Sequence, residues 1–198
     1  MNQTTRERII KQAIVCIAQD GNAGLDDIAR AANVGRATLY RHFKSRADLL
    51  TELKLSAGDQ LKDAVGPVFD SQMSALEKLV RIVRLLVPLG ASLNVSSYFK
   101  QSIKDEKNLL VRQGYEWHQK NARQLCLDLK KEGALAGDLP LSWLVASMNS
   151  LLFAAWEKVE AGDLAPKQAP WLVLTTFLTG HGTLKTQTWF TDLKEATQ

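Results

Sequence analysis

Apolar residues recur three and four positions apart along almost the whole chain, and no run alternates with period two between hairpin turns. Such a chain is expected to be all-α. At 198 residues, 45% of them apolar, it is long enough to bury a core in one or two domains. The composition excludes disordered, collagen-like and disulfide-stapled chains. Its two cysteines, Cys16 and Cys126, lie far apart and suggest a reducing compartment. Met1 to Asp20 is interrupted by Arg6, Glu7, Arg8 and Lys11 and lacks the apolar stretch of a secretory leader, so a cytoplasmic location is expected.

Individual helices can be read from caps and breakers. Ile9, Ile10, Ala13, Ile14 and Ile17 form the stripe of a first helix, expected to stop at a left-handed Gly21. Leu25 to Ala32 make a short second helix. Asn33-Val34-Gly35 is a tight turn in which Asn tolerates positive φ and Gly has no steric penalty. A third helix runs Arg36 to Phe43, and the capping pattern Ser45-Arg46-Ala47-Asp48 opens a fourth that ends at Gly66-Pro67. Further helices are expected over Ser71 to Val87, Val95 to Lys104, Asp105 to Glu132, Pro140 to Ala161 and Gln168 to about Lys185. The last two are poor in charge, and Leu139 to Trp156 has none. That run nears the length of a membrane span, but Ser142, Ser147, Asn149 and Ser150 interrupt it and no basic flank follows. Helices apolar nearly all round belong in a core or against a second subunit, so a homodimer through the last two helices is expected.

Charge is uneven. Residues 1–55 hold nine Lys or Arg against six Asp or Glu, and Asn33 to Ala47 holds Arg36, Arg41, Lys44 and Arg46 with no acid at all. This stretch suits a polyanion, although charge alone favours a solvated basic face. Residues 25 to 43 have the outline of a helix-turn-helix. With Leu39 as the zero of a helical wheel, Phe43 falls at about 40° on the buried side, and Ala37, Arg41 and Lys44 fall at about 140° to 200°. Thr38 and Tyr40 flank that outward face, where a hydroxyl can bond a phosphate or base edge and a ring can cover a sugar or thymine methyl. Arg36 stands at the leading turn, the part of a recognition helix that enters the major groove. Arg46 places a cation at a helix start against the dipole preference, which a bound phosphate would neutralise.

These residues resemble the tetracycline-repressor (TetR) family of bacterial transcription regulators. The likeness rests on Arg8-Ile9-Ile10 with Ala13 and Gly21, Asp27-Ile28-Ala29, Ala32-Asn33-Val34-Gly35, Thr38-Leu39-Tyr40-Arg41-His42-Phe43 and Ser45-Arg46-Ala47-Asp48-Leu49, and covers about residues 5–53. Asn33, Gly35 and Gly24 depart from the family pattern; the two glycines remove side-chain caps at a cost of a few tenths of a kcal/mol each. The resemblance implies an N-terminal three-helix DNA-binding domain over 1–53 and a helical-bundle ligand-binding and dimerisation domain over 54–198. It implies a dimeric repressor on a palindromic double-stranded operator, with Arg36, Ala37, Thr38, Tyr40, Arg41 and His42 facing DNA and Arg46 clamping a phosphate. The bland alternatives are a Tyr40 packed partly inside, a structural His42 and a solvated Lys44.

The resemblance also implies a small-molecule effector, hydrophobic or aromatic, bound beyond residue 55 and acting on the two reading heads through the fourth helix. Candidate pocket residues are Tyr98, Trp117, His118, Met148, Asn149, Leu152 and Trp156, for each of which plain core packing is the alternative. Catalysis is not expected: the histidines are scattered, no metal-spaced cluster occurs, and no phosphate loop or nucleophile elbow appears. No cofactor, metal or membrane partner is expected. The rival readings are a DNA-binding protein without ligand and a thiol sensor acting through Cys16 or Cys126.

Overall fold

The computed structural model describes residues 4–93 and 107–195 and folds them into nine helices, with an isolated bridge between Leu135 and Gly182 as their β pairing. The expected helix at Val95 to Lys104 and the candidate Tyr98 lie outside the described residues. The chain forms two compact units. One takes in the chain up to Gln60 and a later stretch ending at Tyr115; the other takes in Leu61–Ala91 and the chain from Glu116 onward.

The first unit begins with α1 (Thr5–Gln19), α2 (Leu25–Ala31) and α3 (Arg36–His42), followed by α4 (Arg46–Phe69). A complete capping box starts α1: Glu7 N donates to Thr4 Oγ1 at 3.2 Å and Thr4 N donates to Glu7 Oε2 at 2.9 Å. The helix ends without a left-handed Gly21. Asp20 is extended, with φ −138°, and its carboxylate accepts from Asn22 N at 2.9 Å, so a side chain turns the chain where a glycine was expected to. After α2 the expected positive φ is found at Asn33, at 50°, and Val34 N donates to Ala29 O at 3.0 Å to close the helix. Gly35, by contrast, sits at φ −66° and needs no glycine freedom; it is the N-cap of α3. Ser45 Oγ accepts from Asp48 N at 3.1 Å to open α4. Ile9, Ala13, Ile28, Leu39, Phe43 and Leu49 bury the apolar stripes of these helices in one core.

The second unit draws on α5 (Ala75–Leu93), α6 (Leu109–Lys131), α7 (Leu141–Glu160), α8 (Ala169–His181) and α9 (Leu184–Glu195). Two prolines expected to end helices do not. Pro67 lies inside α4 and Pro88 inside α5, both exposed, while Val65, Val68, Leu86 and Val87 beside them are buried. The carbonyl that each proline leaves without an N–H can be hydrated, and apolar burial carries the helix onward. Gly133 and Gly162 end α6 and α7 with φ of 70° and 80°. Ala134 N and Asp163 N reach back to Leu129 O and Lys158 O in the six-to-one pattern such caps require. The single helix expected from Gln168 to Lys185 is two. Ala136 N donates to His181 O at 2.9 Å and Thr183 N to Ala134 O at 3.1 Å, and this pairing straightens the chain between α8 and α9.

Candidate nucleic-acid interface and buried cavity

α3 is anchored from one side only. Leu39 and Phe43 are buried, while Arg36, Ala37, Arg41 and Lys44 are exposed. Tyr40 is 38% exposed and therefore not packed inside. Thr38 and His42 are half-buried, and the His42 ring stands 6.4 Å from that of Phe43. Among the described residues neither Arg41 nor Lys44 meets a carboxylate. Around Arg41 and Lys44 the outward face is thus cationic and open, which is the electrostatic requirement for approaching phosphate.

Arg36 is arranged differently. Its Nε lies 3.1 Å from Asp26 Oδ1, and its guanidinium carbon lies 5.4 Å from the centre of the Tyr40 ring one turn on. A carboxylate from the first turn of α2 and an aromatic face on α3 therefore hold the fork at the start of α3. Sequence reasoning missed Asp26, because ten positions and a turn separate it from its partner and no periodicity links them.

Arg46 explains its own misplacement. Its Nε donates to Ala23 O at 3.0 Å and its Nη2 to Gly21 O at 2.6 Å. Two backbone carbonyls of the α1–α2 connection offset the cation at the start of α4. A half-buried guanidinium so engaged fixes the connection against α4 and thereby the frame in which α3 sits.

A second feature lies inside the second unit. Phe69, Leu79, Leu86, Cys126, Val145 and Phe177, with other apolar side chains, surround a cavity of about 40 Å³ into which His118, Met148, Asn149 and Leu152 also turn. Of the sequence candidates, these four meet here and two do not. Trp117 stands behind Phe69, edge-on at 5.9 Å between ring centres. Trp156 donates from Nε1 to Leu86 O at 3.0 Å and lies so close over Gly90 that a β-carbon there would fall 1.8 Å from the indole. Burial holds the His118 imidazole below its ordinary value of 6.5, and its hydrogen bond with Asn149 pulls weakly the other way. Burial also pushes the Cys126 thiol up to about 11, so it is a neutral packing group and no thiolate. Burial, and then the charge of Asp27, raise Cys16 as well.

The two charge-poor helices have a buried stripe each, and their outer faces carry no charge before Glu157 on α7 and along α8. On α7 Ser142, Trp143, Ala146, Ser150 and Ala154 are exposed, and on α8 Leu172, Thr176, Thr179 and Gly180. Trp143 and Leu172 keep 57% and 53% of their surface in solvent. Among the described residues no helix is long and apolar enough to cross a membrane, and no group of His, Cys, Asp and Glu is placed to hold a metal.

Residues 9–53 match the family model described as bacterial regulatory proteins, tetR family. The chain is 28% identical over 184 residues to the "Probable acrEF/envCD operon repressor" of Escherichia coli strain K12, an alignment covering 85% of this chain and 83% of that protein. Two solved structures are similar in fold. The ketosteroid transcriptional regulator KstR2 of Mycobacterium tuberculosis matches with a TM-score of 0.74 at 18% identity, over 92% of this chain and 97% of that one. The TetR-like regulator LfrR of Mycobacterium smegmatis, in complex with proflavine, matches with a TM-score of 0.68 at 24% identity, over 91% and 97%.

Proposed function

Because the chain belongs to the tetR family of bacterial regulatory proteins, transcription regulators and not enzymes, we propose that it is a cytoplasmic repressor that holds a palindromic operator as a homodimer and releases it when a small molecule enters the buried cavity. The observation that carries this reading is the outer face of α3, where Arg41 and Lys44 stand exposed on a short helix pinned from behind by Leu39 and Phe43. In each half-site α3 enters the major groove, with Arg36, Ala37, Thr38, Tyr40, Arg41 and His42 toward base edges and Lys44 toward the backbone. The two-fold axis of the dimer sets the half-sites about 34 to 36 Å apart or at a related spacing. Arg46 serves by fixing the α1–α2 connection.

The outer face of α7, uncharged up to Trp156, and the uncharged outer face of α8 support a seam made by the same surface from each copy. The cavity supports the effector half of the reading, since α4 starts at Arg46 and ends at Phe69, a residue of the cavity wall. A molecule that prefers one geometry of α4 shifts the balance between DNA-competent and released dimers by its differential affinity, and by no more than that.

The test is selection of bound fragments from host genomic DNA, followed by titration and sedimentation of the complex. The expected result is a two-fold symmetric sequence carrying one dimer, with Trp143→Glu combined with Leu172→Glu giving a folded monomer that binds at least tenfold more weakly. Retention of no duplex at low ionic strength would overturn the reading.

A further inference from the structure

The walls of the buried cavity restrict what can enter it. Among the described side chains that line it, only those of His118 and Asn149 carry oxygen or nitrogen, and none is Asp, Glu, Lys or Arg. An ion moved from water into such a lining loses its hydration and finds no countercharge, a penalty of several kcal/mol even after relaxation. The imidazole cannot supply that countercharge: burial keeps it in its neutral form near pH 7. A polar but uncharged group fares differently. Asn149 brings an amide with both donors and an acceptor, and a neutral imidazole brings one of each, so the hydrogen-bonded pair can satisfy a hydroxyl, carbonyl or amide wherever its proton lies.

Size points the same way. The space of about 40 Å³ holds a water molecule and little more. Met148, unbranched and with three rotatable side-chain bonds, and Leu152 one turn further along α7 are the lining groups that can yield with least cost.

We propose that the cavity takes an uncharged, mainly apolar molecule of about one ring, bearing a single hydrogen-bonding group that docks on the His118–Asn149 pair. The proposal rests on the reading of this cavity as the effector site, and its test separates the two. The probes are benzyl alcohol, benzylamine, which is a cation at pH 7, and benzoate, an anion; they share a ring and nearly a shape. Binding to the full-length protein is measured by calorimetry and by the shift of the Met148 methyl resonance, assigned with Met148→Leu.

Benzyl alcohol is expected to bind and to move the Met148 methyl, with both ions roughly thirtyfold or more weaker. Leu152→Trp, which fills the space, is expected to abolish the binding. Ala122→Val, a smaller intrusion into the same wall, is expected to weaken it at least threefold should the larger variant fail to fold. An ion bound within thirtyfold of the alcohol, an alcohol that leaves the Met148 methyl unmoved up to its solubility, or binding indifferent to both filling variants would overturn the proposal. Operator release is scored separately. Benzyl alcohol seated in the cavity without any change in operator affinity would sink the effector reading and leave the cavity chemistry standing; an operator-binding dimer that takes no neutral probe would do the reverse.

Discussion

Replacing Arg46 by alanine separates a structural cation from a phosphate-binding one. Arg46 makes two charge-assisted hydrogen bonds, at 3.0 Å to Ala23 O and 2.6 Å to Gly21 O. Such bonds are worth about 1.5 to 3 kcal/mol when shielded, and the half-buried position lowers this to about 1 kcal/mol each. Removing a cation from the start of α4 returns about 0.3 to 0.5 kcal/mol through the helix dipole, and alanine costs nothing in propensity. The net expectation is a loss of about 1 to 2 kcal/mol of stability, or about 2 to 8 °C in Tm for a chain of this size. Operator affinity should fall for all sequences, with the dependence of log K on log salt unchanged. Arg46→Lys is the decisive companion, since an ammonium keeps the charge but cannot fork to two carbonyls. If the tether is the role, Lys recovers less than half of the lost stability, as read by urea unfolding. An alanine variant of unaltered stability whose salt slope drops by about one unit, restored by Lys, would show instead that the residue grips phosphate.

Arg41→Ala, at an exposed position of α3, should leave the fold intact, weaken operator binding by about 1 to 3 kcal/mol and relax preference at one base position, as read by binding to a library of single-base operator variants. Gly90→Ala should destabilise the protein although alanine is favoured in a helix by about 1 kcal/mol, because the new methyl would fall 1.8 Å from the Trp156 indole; Trp156→Leu in the same chain should reverse the sign in urea titrations. His118 is held below 6.5 in the folded state, so as pH falls through 6.5 the unfolded chain takes up its proton first and stability declines. The urea midpoint should therefore drop less between pH 7.5 and 5 in His118→Gln than in the parent. Leu152→Ala should cost about 2 to 5 kcal/mol of stability and bind benzyl alcohol more tightly than the parent, the first visible as a lower Tm without probe and the second as a larger probe-dependent rise in Tm.

What the sequence revealed is what short-range chemistry decides. The Asn33 turn, the Ser45 cap and the closing glycines of α6 and α7 are each set by a few adjacent residues, and so is the buried-to-exposed division of α3 around Leu39. His118 and Asn149 were readable as polar groups within apolar surroundings, and Met148 and Leu152 as sharing one helical face with Asn149. Where expectation failed, a distant partner decides. Arg46 looks anomalous until carbonyls more than twenty positions upstream are placed beside it. Trp156 looks like a pocket residue until Leu86 O and the bare α-carbon of Gly90 claim its indole. The break between α8 and α9 is invisible without the strand-like pairing to Leu135, and Pro67 and Pro88 mislead because their exposure cannot be known from their identity.

The closed state of the cavity bears on how an effector acts. A preformed cavity of about 150 Å³ is enough to hold benzene, whereas the space here is about 40 Å³. Opening the difference at about 24 cal/mol per Å³ costs roughly 2 to 3 kcal/mol, which lowers the apparent affinity of any occupant by a factor of about 30 to 150. That loss has a use. An open cavity would bind its molecule in either state of the dimer and shift nothing, since a ligand with equal affinity for two states leaves their balance alone. A cavity closed in one state and open in the other makes the opening free energy the differential itself, of a size within the usual range for coupling between sites. If the cavity is the effector site, tight packing around His118 and Asn149 is as much a part of the response as the groups that meet the ligand, and Leu152→Ala should gain affinity while losing most of its power to release the operator.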